Sequence, residues 1–158
     1  SSDVCSSDLC CLMRLQGVVF DGTEALLGTA GVPLPGVKEF LSLMKIEDVW
    51  MYLICDGAAA PVRTALEQSG LWNYFRGLLS AEEQGRAPLD PELYEKAVRR
   101  LRTARRATVL FTAREAALRA AKAAGFQVVL VGPGHPAEAS ALADVTVSDY
   151  RDMIRVER

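Results

Sequence analysis

The chain has 158 residues, of which 50% are hydrophobic and 24% charged, and its formal net charge is −2. That length fits one ordinary domain with a buried core, and the apolar fraction excludes a disordered chain. Apolar runs such as 49–55 are too short to span a bilayer, and the near-neutral charge gives no reason to expect nucleic acid or an anionic membrane surface as a partner.

Residues 1–9 read SSDVCSSDL, in which the triplet Ser-Ser-Asp occurs twice. The segment has neither a helical nor a strand period, and no basic stretch precedes an apolar one as it would in a signal peptide. It resembles the translation of a sequencing-adapter remnant, and the alternative is a disordered natural tail. We expect residues 10–158 to form a single domain, and we expect a cytoplasmic location because no targeting signal is recognisable.

Apolar runs alternate with helical patterns in the first half of the remaining chain. We predict strands at 15–20, 49–55 and 77–80, with helices that begin near 33–36 and at 61. The first strand leads into a turn, and the nearly continuous apolar run of the second is typical of a strand covered on both faces.

The second half continues the alternation. Asp90 is expected to cap a helix that runs to Leu101, and a terminal helix is expected from about Asp149. The other predicted elements are strands at 108–112, 126–131 and 145–147, a helix at 114–124, and a loop rich in Gly and Pro at 132–140. The alternation predicts an α/β fold with a mainly parallel sheet.

Functional residues of such a sheet are expected where its strands end, because the binding crevice lies at the carboxyl edge. The residues there are Asp21, Cys55, Asp56, Ser80, the stretch 112–114 and the stretch 132–135.

Four segments resemble the motifs of the haloacid dehalogenase-like (HAD) hydrolase superfamily. They are VVFDGT (18–23), LICDGAAAPVRTALEQSGL (53–71), YFRGLLSAEEQGRAPLDPELYEKAVRRL (74–101) and TVLFTAREAALRAAKAAGFQVVLV (108–131). The phrases LLSAEE, PELYEKAVRRL and AAKAAGF favour the branch that contains 2-haloacid dehalogenases and phosphoglycolate-type phosphatases. The resemblance implies a Rossmann-like three-layer α/β/α sandwich, and a reaction in which an aspartate displaces the leaving group.

The first motif is two residues shorter than the family pattern Asp-x-Asp-Gly-Thr, or Asp-x-Tyr-Gly-Thr in dehalogenases. If Asp21 corresponds to the first Asp, the nucleophile is retained. If it corresponds to the second, the nucleophile position is Val19 and covalent catalysis is lost. We prefer the first register, because an apolar run leads directly into Asp21. A third interpretation is that Asp21 only caps the turn. In the preferred register the resemblance implies catalytic roles for Asp21 and Thr23.

The second and third motifs also depart from the family. Cys55 and Asp56 stand where the family has Ser or Thr followed by Asn, and the resemblance places them against the substrate. A thiol is a weak donor, and the charge of Asp56 would repel an anion; the alternative role of Cys55 is that of a small buried apolar residue. The Lys of the third motif falls on Arg86, which either contacts the developing charge in catalysis or is a solvated loop arginine.

The fourth motif lacks the acidic residues that bind Mg²⁺ in the phosphatases of the family. Those positions fall on Ala113 and Ala117, so the sequence predicts no metal site and no cofactor of the family kind. Only residues 24–33 separate the first motif from the following helix, which leaves no room for a substrate-covering cap.

We therefore expect a capless HAD-like hydrolase domain of phosphatase or dehalogenase type, with weak activity or none on a small phosphorylated molecule. The alternative is a non-catalytic HAD-like domain that binds a partner or persists as a fold. A third hypothesis is that the shortened motifs reflect faulty assembly of the gene of an intact enzyme. The sequence favours no particular oligomeric state.

Overall fold

The computed structural model describes residues 15–154, so the prediction for residues 1–9 lies outside the described range. Within residues 15–154, six strands form one sheet in the order β3-β2-β1-β4-β5-β6, and each adjacent pair is parallel. The strands are β1 (Gly17–Asp21), β2 (Trp50–Cys55), β3 (Leu78–Ser80), β4 (Thr108–Thr112), β5 (Gln127–Val131) and β6 (Val145–Val147).

Helices connect the strands. They are α1 (Glu24–Leu27), α2 (Val37–Ile46), α3 (Ala59–Gln68), α4 (Ala81–Gln84), α5 (Pro91–Leu101), α6 (Glu115–Ala123), α7 (Ala137–Leu142) and α8 (Arg151–Ile154). Single 3-10 turns precede β3 and β4 at Trp72–Tyr74 and Arg105–Ala107. In the described part of the chain, no helix combines the length and the apolar character needed to cross a membrane.

Two hydrophobic clusters cover the two faces of the sheet, because successive side chains of a strand point to opposite sides. Val18 of β1 belongs to one cluster and Val19 to the other. The first cluster joins the sheet to α2 and α8 through Phe40, Leu41, Met44 and Met153. The second joins it to α5 and α6 through Leu93, Tyr94, Ala97, Val98, Leu118 and Ala121. The predicted three-layer α/β/α sandwich is thereby confirmed.

An aromatic group fixes the segment after β6 to the first cluster. The ring of Tyr150 lies 5.1 Å from that of Phe40 and is stacked on Phe111 at 6.0 Å, centroid to centroid. Tyr150 is fully buried, and its hydroxyl donates to the backbone oxygen of Ala25 at 2.7 Å. This hydrogen bond connects the segment after β6 to α1, the helix that follows the turn after β1.

Helix α5 begins and ends where the sequence pattern predicts. The Asp90 carboxylate accepts from the backbone N–H of Glu92 at 3.0 Å, and Pro91 occupies the first turn of α5. The helix ends at Leu101, and the next residue, Arg102, adopts the left-handed conformation with φ of 61°. The predicted bounds, from the Asp90 cap to Leu101, are thus confirmed.

Three short helices were not predicted. The helices α1 and α4 have four residues each and α7 has six, which is too few for a 3.6-residue period to show. The interpretation of 132–140 as a loop is wrong in its second half, because α7 begins at Ala137, directly after Pro136. A proline suits that start, since the first N–H groups of a helix have no partner within it.

Candidate functional site

The sheet order brings three strand ends together. Strand β1 lies between β2 and β4, and in this register Asp21 pairs with Ile54 on one side and Thr112 on the other. Residues 55–56 follow Ile54, and residues 113–114 follow Thr112. Because parallel strands end at the same edge, these residues meet around Asp21.

The carboxylate of Asp21 is buried, with 1% of the residue exposed. Its Oδ2 accepts from Thr112 Oγ1 at 2.8 Å and from Arg114 Nε at 2.9 Å, and its Oδ1 accepts from Arg114 Nη2 at 2.8 Å. The contact between guanidinium and carboxylate is therefore bidentate, which is the strong form of this interaction. The charge of a buried acid is compensated directly by one cation.

The same guanidinium also holds Asp56. Arg114 Nη1 lies 2.7 Å from Asp56 Oδ2, and Arg114 Nη2 lies 3.4 Å from Asp56 Oδ1. The hydrogen bonds that the guanidinium donates to Asp21 raise the pKa of Arg114, and a guanidinium is already protonated at any ordinary pH. Two carboxylates thus share one permanent cation, which leaves one net negative charge on the cluster.

Hydrogen bonds to α4 fix the backbone around Asp56, between β2 and α3. The backbone oxygen of Asp56 accepts from Glu82 N at 3.0 Å, and the backbone N–H of Ala59 donates to Glu83 Oε2 at 2.9 Å. Ser80 caps α4 by accepting from Glu83 N at 3.1 Å, while its hydroxyl donates to the backbone oxygen of Gly57 at 2.5 Å. The ends of β2 and β3 are therefore held as one unit.

The thiol of Cys55 lies at the end of β2 and is buried, with 5% of the residue exposed. It donates to the backbone oxygen of Gly57 at 3.2 Å. Burial, together with the nearby acidic groups of Glu83 and Asp56, raises the pKa of this thiol to about 11. The sulfur is therefore protonated near neutral pH, and it is a poor nucleophile in this environment.

Two further residues assigned by the resemblance lie in different surroundings. Thr23 is half-buried before α1, where its backbone oxygen accepts from Leu26 and Leu27 N–H groups at 2.9 and 2.7 Å. The guanidinium of Arg86 contacts Asp90 at 3.1 Å, and 44% of its side chain is exposed. The structure thus brings Asp21 and Asp56 together through Arg114, and it places Arg86 beside Asp90.

Arg114 was within a stretch singled out at the strand ends, but no role was given to it from the sequence. A signal was present: Arg114 immediately precedes α6, and a cation at a helix N-terminus is opposed by the helix dipole. An arginine in that position is stabilised by a nearby carboxylate, and Asp21 and Asp56 provide two. Their proximity depends on the strand order, which local patterns do not contain.

Tyr94 is a second residue near Asp21 and Arg114 that the sequence patterns did not assign to the site. It is 1% exposed, and among the residues that the structure describes its hydroxyl has no hydrogen-bond partner. Burial raises the pKa of Tyr94, and the negative charge of Asp21 raises it further. The hydroxyl therefore remains protonated within the field of the charged cluster.

A cleft of about 550 Å³ opens at the same edge of the sheet, next to Ala113. His135 borders it, with Nε2 3.0 Å from the backbone oxygen of Val131 and Nδ1 3.6 Å from Glu115 Oε2. The other lining residues come mainly from the loop after α1 and the loop after β5: Glu24, Leu27, Gly28, Thr29, Ala30, Val32, Pro33, Leu34, Pro35, Ala113, Gly132 and Pro133. The cleft is large enough for a small molecule.

The residues present do not fit a Mg²⁺ ion. The positions that the resemblance reserves for acidic ligands carry the methyl groups of Ala113 and Ala117, which offer no oxygen. Among the described residues, no three His, Cys, Asp or Glu side chains are grouped so as to hold a metal. The carboxylates of Asp21 and Asp56 are already joined by the guanidinium of Arg114.

Known proteins of similar structure share this architecture at low identity. A protein from Thermotoga maritima that is assigned as a beta-phosphoglucomutase superimposes with a TM-score of 0.73 over 89% of this chain and 97% of its own, at 15% identity. The L-2-haloacid dehalogenase from Xanthobacter autotrophicus superimposes with a TM-score of 0.63 over 77% of this chain and 59% of its own, at 17% identity. These likenesses show the fold.

The chain is also similar in sequence to a known phosphatase. The validoxylamine A 7'-phosphate phosphatase of Streptomyces hygroscopicus subsp. limoneus is 29% identical over 124 residues, which is 78% of this chain and 58% of that protein. The chain thus spans little more than half the length of this relative. The family model of haloacid dehalogenase-like hydrolases matches residues 24–131, which begins just after the Asp21 turn and covers well over half of the chain. The chain therefore belongs to the haloacid dehalogenase-like hydrolase family.

Proposed function

We propose that this domain is a phosphatase-type member of its family that hydrolyses phosphate esters weakly and without a metal, at Asp21. The observation that carries the proposal is the carboxylate of Asp21 at the end of β1, hydrogen-bonded to Thr112 and Arg114 at 2.8 to 2.9 Å. A strand-end aspartate is the nucleophile that the family resemblance requires. The similarity to the validoxylamine A 7'-phosphate phosphatase described above favours a small phosphorylated molecule as substrate.

Arg114 is the cation that can assist the reaction at this site. Its guanidinium contacts Asp21 directly, and 31% of its side chain is exposed, so one face is open to an incoming anion. Positive charge fixed beside the reacting group stabilises charge that develops on the phosphoryl oxygens. Arg86, which the resemblance had placed in this role, pairs with Asp90 instead of with the Asp21 cluster.

The same contacts explain why we expect the turnover to be low. Both oxygens of Asp21 accept hydrogen bonds from donors that stabilise the resting carboxylate. Part of this stabilisation is lost when an oxygen attacks phosphorus, breaks the P–O bond to the departing alcohol and forms an aspartyl phosphate, which water then hydrolyses to restore Asp21 and release phosphate. Asp56 adds a negative charge beside the site, which opposes the approach of a phosphate. The positions of Ala113 and Ala117 provide no ligand for a compensating metal.

We further propose that the site works without a cap. Between β1 and α2 the chain forms only the short helix α1 and the loop 28–36. No inserted segment between β1 and α2 covers the cleft beside Ala113, so we expect water to enter it. An open site is compatible with hydrolysis of a phosphate ester, whereas a dehalogenase encloses its small substrate beneath a cap, so we place the domain with the phosphatases.

A non-catalytic domain is the second candidate function. It is favoured by one observation, the simultaneous pairing of Arg114 with Asp21 and Asp56, which ties up both acids of the site. In this case the fold would serve to bind a partner or would persist without a reaction. The two candidates differ in whether any turnover depends on Asp21.

The experiment is hydrolysis of a generic aryl phosphate by the wild type and by Asp21→Asn, each with and without Mg²⁺. The proposal predicts a wild-type turnover below about 1 s⁻¹, the low end for typical enzymes, that is unchanged by Mg²⁺ and lost in the variant. Equal rates for the two proteins would contradict the proposal and support the non-catalytic candidate. A faster, Mg²⁺-dependent and Asp21-dependent turnover would contradict both.

A further inference from the structure

We propose that the guanidinium of Arg114 is the built-in cation of this site, standing between Asp21 and Asp56 in place of a divalent metal and excluding Mg²⁺ from them. The inference concerns the same site as the proposed function, but it is a statement about ion binding that holds whether or not the domain turns over a substrate. It follows from how the two acids and the arginine are arranged.

The guanidinium of Arg114 occupies the two carboxylates. Arg114 makes three contacts of 2.7 to 2.9 Å with them, two to Asp21 and one to Asp56, and a fourth at 3.4 Å. Three of the four carboxylate oxygens thereby face the guanidinium at close range. A metal ion that bridged the same acids would have to displace it, because the two cations would compete for the same oxygens.

The cation supplied by Arg114 is permanent and is tethered to the chain. A guanidinium cannot be deprotonated in a protein, and the effective concentration of a side chain held in place far exceeds that of a free ion. The backbone N–H of Arg114 donates to Thr112 Oγ1 at 3.0 Å, and its backbone oxygen accepts from Leu118 N at 3.0 Å in the first turn of α6. The arginine is therefore anchored at both its backbone and its head group.

A competing Mg²⁺ ion would be bound less well than the guanidinium at this site. Mg²⁺ demands near-ideal octahedral oxygen coordination and gives up its water reluctantly. Here it would find two carboxylates, those of Asp21 and Asp56, because the side chains of Ala113 and Ala117 carry no oxygen. No group of three or more His, Cys, Asp or Glu side chains that could hold a metal occurs in the described part of the chain. Two carboxylates bind Mg²⁺ only weakly, so the ion does not displace the tethered guanidinium. The guanidinium donates hydrogen bonds to both oxygens of Asp21, so it is a better partner for this carboxylate than a Mg²⁺ ion with an incomplete set of ligands.

The test is the effect of MgCl₂ on thermal unfolding at constant ionic strength. The proteins are the wild type, Arg114→Met, and the matched control Arg99→Met, which removes an exposed arginine that pairs with Glu92 at 3.0 Å. We expect no Mg²⁺-specific shift for the wild type or the control. For Arg114→Met, in which two acids have lost their cation, we expect Mg²⁺ to raise the melting temperature by at least about 2 °C.

Adding Asp56→Asn to Arg114→Met should abolish that response, because a single carboxylate remains. The absence of a Mg²⁺ response in folded Arg114→Met would overturn the inference. Isothermal titration of the wild type with MgCl₂ gives an answer even if Arg114→Met does not fold. No binding supports the inference, and binding with a Kd below about 1 mM that is lost in Asp56→Asn overturns it. Both measurements use no substrate, so their failure is distinguishable from failure of the proposed hydrolysis.

Discussion

Arg114 and Asp21 form a bidentate ion pair across two adjacent strands, with Nε 2.9 Å from Oδ2 and Nη2 2.8 Å from Oδ1. The two residues are 93 positions apart in the sequence, and they meet because β1 and β4 are parallel neighbours whose ends coincide. This contact joins the candidate nucleophile to a permanent cation and connects the ends of β1 and β4.

Replacing Arg114 is expected to destabilise the fold strongly. Arg114→Met keeps much of the stem volume but leaves the buried Asp21 without its cation, and breaking a buried ion pair in this way costs about 3–5 kcal/mol. Chemical denaturation of Arg114→Met and Arg99→Met measures the difference, since the exposed pair of Arg99 is expected to contribute at most about 1 kcal/mol. Similar losses for the two variants would show that Arg114 does not stabilise a buried charge.

Loss of the hydroxyl should change the free energy of unfolding differently at the two buried tyrosines, Tyr150 and Tyr94. Tyr150→Phe leaves the backbone oxygen of Ala25 without its donor, and we expect a loss of about 1–3 kcal/mol in the free energy of unfolding. Tyr94→Phe removes a hydroxyl that has no partner among the described residues, so it should be neutral or stabilising. A larger loss for Tyr94→Phe than for Tyr150→Phe would contradict the hydrogen-bond assignment.

Cys55 should be unreactive toward alkylating reagents near neutral pH. Its pKa is raised to about 11, so the thiolate is the minor form below that pH, and its fraction grows about tenfold for each pH unit up to the pKa. In a variant with Cys5, Cys10 and Cys11 replaced by Ser, we expect a rate with iodoacetamide at pH 8 about 100-fold below that of a free thiol. The rate should still rise with unit slope between pH 7 and 9.5, and a plateau below pH 9 would contradict this account.

Much of the architecture followed from patterns that are local in the sequence. The alternation of apolar runs with helical periods predicted every strand of the sheet to within two residues at each end. The Asp90 cap and Pro91 located α5 correctly. The short helices α1, α4 and α7 were not predicted, because four to six residues show too little periodicity. Their positions depend on packing against the rest of the fold.

The site was predicted only in part. Asp21 and Asp56 were expected at the same edge because both follow strands, and the structure places them on a common partner. That partner was missed because a family motif directs attention to Ala113 and Ala117, whereas Arg114 gains its role from the placement of β4 beside β1. The proximity of side chains from three strands depends on strand order, which no local pattern in one sequence contains.

The free energy that couples Asp21 to Arg114 is the quantity on which the proposed function and the cation inference both depend. A double-mutant cycle of the wild type, Asp21→Asn, Arg114→Met and the double variant, followed by denaturant unfolding, measures it directly. We predict a coupling of at least about 2 kcal/mol, with the double variant more stable than Arg114→Met alone. Effects of the two substitutions that add within about 0.5 kcal/mol would contradict the account, because the two charges would then not interact in the folded protein.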